Sequence, residues 1–112
     1  MAIDDINVVD GLAVDPKQGI LYLLLTDHLQ WAEGEDTLSE REHLLLLQEK
    51  INAYVSFIEE GQYKNNYPNV KIKLAIIEIH FQYEITPNCQ RFLQAVQGQI
   101  QLYGIEIQAH IG

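Results

Sequence analysis

A chain of 112 residues, 47% hydrophobic and 21% charged, has the composition of one globular domain and no length for a second independent core. Sixteen acidic residues against seven basic ones leave a net charge of −9, which speaks against nucleic-acid and anionic-membrane partners, since both need Lys and Arg. Cys89 is the single cysteine, so an internal disulfide and a thiolate metal cluster are excluded.

The negative charge is uneven. Residues 1–49 hold eleven acids against Lys17 and Arg41, whereas in residues 50–112 five acids balance five bases. A basic protein partner suits the first half, although an acidic surface also serves solubility alone. The opening Met1-Ala2-Ile3-Asp4-Asp5 is acidic where a signal peptide would be basic. The longest apolar run, residues 20–25, is far short of the roughly 20 residues that span a bilayer. A cytoplasmic protein is the expectation.

Apolar segments at residues 8–14 and 20–26 flank Asp15-Pro16-Lys17-Gln18-Gly19, which predicts a hairpin turning on Pro16 and a positive-φ Gly19. The run Ile20-Leu21-Tyr22-Leu23-Leu24-Leu25 lacks polar alternation and belongs in the centre of a sheet. An acidic connector over residues 27–38 follows, holding Trp31 and Gly34. Ser39 with Glu42, or Thr37 with Glu40 one register away, signals a helix start, and Gly61 its end. The main apolar stripe of that helix is Leu44, Leu47, Ile51, Tyr54, Val55 and Ile58. Leu46, Ala53 and Phe57 make a second stripe, which one sheet cannot also bury. Either the connector with Trp31 or another subunit covers it, so these four residues are the candidate interface.

Residues 70–85 read as a long strand whose apolar side chains switch from even to odd positions at Ile76-Ile77, predicting a β-bulge or bend there. Thr86-Pro87 caps and opens a second helix with an inner stripe of Cys89, Phe92, Leu93, Val96, Ile100 and Tyr103, closed by Gly104. Residues 105–111 alternate as a last strand. The fold class is therefore α+β, a two-layer sandwich in the order β-β-α-β-α-β. Right-handed crossovers put both helices on one face of a four-stranded mixed sheet.

Glu78, His80 and Gln82 share one face of the third strand, and Glu106, Gln108 and His110 share one face of the last. Neighbouring strands would bring together two imidazoles and two carboxylates, the donors of a zinc or iron site. The plain alternative is the solvent side of a sheet, and no metal ligand is assigned. A second candidate is the carboxyl edge of the strands, where Asp27, His28, Glu84, Asn88 and His110 would gather. Local capping by Asp27 is the simpler account. No Gly-x-Ser-x-Gly elbow, phosphate loop or cofactor motif occurs, so no catalytic or cofactor-binding residue is assigned. Cys89 falls on an apolar stripe and reads as an inert buried thiol.

The segments Asn7-Val8-Val9-Asp10-Gly11, Leu25-Thr26-Asp27-His28-Leu29-Gln30-Trp31 and Leu46-Leu47-Gln48-Glu49-Lys50-Ile51-Asn52-Ala53-Tyr54 resemble a family of small bacterial proteins of unknown function. Ile77-Glu78-Ile79-His80-Phe81-Gln82-Tyr83 is similar to that family too. The resemblance spans nearly the whole chain and implies a bacterial cytoplasmic origin, with no activity, cofactor or catalytic residue. It draws attention to Asp10, Asp27, His28 and Trp31. The leading expectation is a non-enzymatic interaction module, a homodimer with an immunity- or antitoxin-like role. The alternative is a small metal-dependent or ligand-binding enzyme using histidines and carboxylates on the sheet, with His28, His80 or His110 as the imidazole.

Overall fold

The computed structural model describes residues 9–31 and 39–112. Val8, most of the acidic connector with Gly34, and the Thr37 cap lie outside the described residues. The elements are β1 (Gly11–Asp15), β2 (Ile20–Asp27), α1 (Glu40–Glu59), β3 (Leu74–Phe81), α2 (Pro87–Ile100) and β4 (Ile105–Ile111). They form one sheet in the order β1-β2-β3-β4. β1 runs antiparallel to β2, and β2, β3 and β4 run parallel. The chain is the mixed two-layer α+β fold.

The hairpin turn closes through side-chain as well as backbone bonds. Asp15 Oδ1 accepts from the backbone N–H groups of Lys17 and Gln18, and Gly19 donates to the Asp15 carbonyl at 2.8 Å with φ +68°. Gly19 then accepts from Lys73 and Leu74, so the turn also fixes the start of β3. Central placement of β2 gives Leu21, Leu23 and Leu25 complete burial on the helix side. Ile20, Tyr22 and Leu24 on its other side stay half-buried.

Ser39 Oγ accepts from the Glu42 N–H at the start of α1, and Gly61 follows its end with φ +71°. The buried line of α1 is His43, Leu47, Lys50, Ile51 and Tyr54. Leu44, Val55 and Ile58 flank it on one side and Leu46, Ala53 and Phe57 on the other, all half-buried. The two stripes of the sequence are thus the shoulders of a single contact, because α1 is rotated to point between them. Two polar side chains occupy the crest.

β3 carries no bulge. It pairs without interruption with β2 from Leu74 to Phe81 and with β4 from Ala75 onward. Val70 and Ile72 lie ahead of the strand, and Ile76 is buried on the face away from the helices at 5% exposure. The switch of parity comes from a strand apolar on both faces at its start. β3 also stops at Phe81, short of Ile85, leaving Tyr83 exposed.

Thr86 caps α2 by accepting from the Cys89 N–H. Cys89, Leu93 and Ile100 are buried, but Tyr103 is 63% exposed. α2 tightens at Gln101–Tyr103 into a 3-10 turn, whose different pitch swings Tyr103 off the inner stripe. Gln97 supports the edge strand: its amide donates to the Ile105 carbonyl and accepts from the Ile107 N–H. That occupies part of an edge otherwise open to strand pairing.

A Cβ on Gly19 would stand 2.9 Å from the Lys71 carbonyl oxygen on a left-handed backbone. Gly19→Ala is expected to lower stability by about 1–2 kcal/mol or more in urea unfolding. Gly98 lies within α2 with open space around its Cα. Gly98→Ala should raise stability by about 0.5–1 kcal/mol in the same assay.

Candidate functional site

Among the described residues, polar side chains gather inside the fold and on the sheet face opposite the helices. The inner set begins at Lys50, whose ammonium is fully buried and lies 3.1 Å from Asp10 Oδ1. Asp10 Oδ2 accepts from both the N–H and the hydroxyl of Thr26. The Asp10 N–H donates to the Tyr54 hydroxyl, which donates in turn to the Leu24 carbonyl at 2.6 Å. Burial raises the pKa of the Tyr54 hydroxyl well above its ordinary value, consistent with a neutral donor held in a closed network. β1, β2 and α1 are joined through this network.

A second inner pair stands two turns of α1 earlier. Asp27, the last residue of β2, accepts from His43 Nε2 at 2.5 Å with both side chains wholly buried. A carboxylate only accepts, so Nε2 carries the proton. The other Asp27 oxygen accepts from the Leu29 N–H, the local capping bond. Trp31 stacks on the His43 ring with centroids 3.6 Å apart. His43 Nδ1 and Trp31 Nε1 have no hydrogen-bond partner among the described residues.

Cys89 lies nearby and is fully buried. Its thiol is pushed up to about 12 by burial first, and then by the negative charges of Asp27 and Glu40. A thiol so held is a poor nucleophile at neutral pH.

The outer set lies on the sheet face opposite the helices. His80 and His110 are paired in register on β3 and β4, and their rings stack with centroids 4.8 Å apart. Glu78 Oε2 is 3.8 Å from His80 Nε2 and 3.5 Å from His110 Nε2. Glu106 stands opposite Ile76 and Gln108 opposite Glu78, so Glu106 is set back toward the start of β4.

The carboxyl edge does not collect its candidates into one group among the described residues. Asp27 turns inward to His43, His110 belongs to the open face, and His28 is exposed. Asn88 donates instead to Glu40 at 2.7 Å, tying the starts of the two helices. That bond first, and one from Thr86 next, hold the Glu40 carboxyl below its usual pKa. Thr26, Asp27, His28 and His80 line a shallow pocket of about 210 Å³ at this edge. Trp31, Leu46 and Phe57 rest against the chain's own core, and Ala53 is half-buried beside them.

Sequence reasoning missed His43 and Lys50. Their signal was positional: with Leu47, Ile51 and Tyr54 they fall at i, i+4, i+7, i+8 and i+11 on one helix face. A polar residue at core spacing needs a buried partner, and Asp10 and Asp27 in the resembling segments supply it.

The model of a family of unknown function, DUF6572, matches residues 1–112, and the chain belongs to that family. No curated protein and no solved structure gives a significant match.

Removing one member of a buried ion pair strands the other charge, which costs about 3–5 kcal/mol. Asp10→Ala is expected to destabilise by that amount in urea unfolding. The double change Asp10→Asn with Lys50→Met, which removes both charges and keeps an acceptor for Thr26, should cost less. Cys89 gives a pH test. Its thiol stays neutral in the fold but ionises in the unfolded chain above its ordinary 9.0, so its contribution to stability is lost as pH rises from 9.0 to about 12. Native protein at pH 8 should resist iodoacetamide, whereas unfolded protein should gain one adduct by mass spectrometry.

Proposed function

We propose that this member of a family of unknown function is a non-enzymatic association module of the bacterial cytoplasm, acting as a homodimer. The observation that carries the reading is the sheet face opposite the helices. Tyr22 and Leu24 of β2 and Leu74 of β3, all half-buried, form an apolar strip there around the buried Ile76, and both helices pack on the other side. No described helix or strand lies over it. Trp31, Leu46 and Phe57, with Ala53 between, remain a lesser surface because three of them already rest on the chain's own core.

The inner chemistry supports association over catalysis. Asp10, Lys50 and Tyr54 are engaged with one another, and Asp27 with His43. No described helix is long and apolar enough to cross a membrane. The acidic half suits a basic protein partner, in an immunity- or antitoxin-like role by analogy. Two of its acids, Asp10 and Asp27, are spent inside the fold, so the surface is less acidic than the residue count. The competing reading, a small metal-dependent or ligand-binding enzyme, draws on Glu78, His80 and His110.

Light scattering behind size exclusion decides the association. A dimer mass is expected for the native protein and a monomer mass for Tyr22→Glu, with Phe57→Glu shifting the balance less. A native protein that stays monomeric at millimolar concentration removes the reading.

A further inference from the structure

Inside the fold the carboxylates of Asp10 and Asp27 are paired at hydrogen-bond distance with Lys50 and His43, whereas the contacts of the open face are longer. Glu78 Oε2 stands 3.5 and 3.8 Å from the two imidazole Nε2 atoms, too far for good hydrogen bonds. Three side chains from two strands nevertheless each bring one possible ligand atom within 4.8 Å of the others. Ligands around a tetrahedral ion with bonds of about 2.0–2.1 Å sit roughly 3.3 Å apart. The observed spacing needs only small side-chain rotations to reach that value.

We infer that Glu78, His80 and His110 bind one divalent transition-metal ion, of the class of Zn²⁺, Co²⁺ or Ni²⁺. Two imidazoles and a carboxylate suit these borderline ions, whereas Mg²⁺ and Ca²⁺ prefer all-oxygen sets. The backbone holds the donors in place. His80 and His110 face each other across the β3–β4 ladder, and Glu78 is two residues before His80 on the same face. Parallel register therefore presets the triangle before any ion arrives. With the side chains of His80 and His110 about half exposed, at 48% and 47%, a fourth position faces solvent and is open to water or another donor. The site stands apart from the association reading, since all three ligands come from one chain.

The test uses the full chain made without a histidine tag. Titration with Co²⁺, followed by its visible absorption, and with Zn²⁺ by calorimetry should each saturate at one ion per chain. His80→Ala and His110→Ala should each weaken binding at least tenfold, and Glu78→Gln severalfold, with circular dichroism unchanged. His28→Ala should bind as the native protein does. Affinity should fall on acidification, because protons compete for the imidazoles. Absence of saturable binding near neutral pH, or equal binding by the double variant of His80 and His110, overturns the site. Neither outcome depends on the chain's association state, which light scattering reads separately.

Discussion

A fully buried ammonium cannot be left alone, and Lys50 sets the terms for everything around it. Moving such a charge out of water costs several kcal/mol even after relaxation. The carboxylate of Asp10 offsets that cost only where both ends are held still. Asp10 is held by two donors from Thr26, and its own N–H reaches the Tyr54 hydroxyl. Lys50 and Tyr54 both lie on the buried line of α1. The ion pair therefore fixes the rotation of α1 about its axis, the approach of the chain into β1, and the neighbouring end of β2. Leu47 and Ile51 would pack almost as well after a small roll of the helix. Lys50 would not.

The same requirement repeats at Asp27 and His43, with Trp31 laid over the imidazole. Apolar burial supplies most of the free energy of such a sandwich but tolerates sliding. Two buried polar pairs on one helix, seven residues apart, do not. They act as pegs that specify one docking of α1 on the sheet, which gives a physical role to segments that otherwise read as scattered acids and aromatics.

Much of this architecture was legible because it rests on local rules. Ser39, Gly61, Thr86 and Gly104 mark helix ends through groups within a few residues of each. Asp15 to Gly19 encodes its own turn. Errors arose where a residue's role depends on a distant neighbour. Ile76 looked like a fault in a strand because alternation assumes one buried face, whereas Tyr22 and Glu106 flank it in the sheet. Tyr103 fell on the apolar stripe only if the α-helical pitch continued past Ile100. His43 and Lys50 looked like interruptions of an apolar face, because their partners lie 16 and 40 residues away. The meeting of His80 with His110 needed one further fact, the adjacency of β3 and β4, which the crossover through α2 favours.

The two faces of the sheet differ in how far their chemistry is spent. Toward the helices, the carboxylates of Asp10 and Asp27 are buried and paired with Lys50 and His43, and Cys89 is held neutral. On the far face, an apolar strip runs into an imidazole pair through one position, since Leu24 stands beside Glu78 in the β2–β3 register. A second chain laid across Tyr22, Leu24 and Ile76 would come close to Glu78 without needing its oxygens. A metal ion on Glu78, His80 and His110 would sit beside that contact and neutralise the carboxylate at its rim. The three ion ligands come from one chain and the apolar strip from other positions, so one face carries the two properties on separate residues.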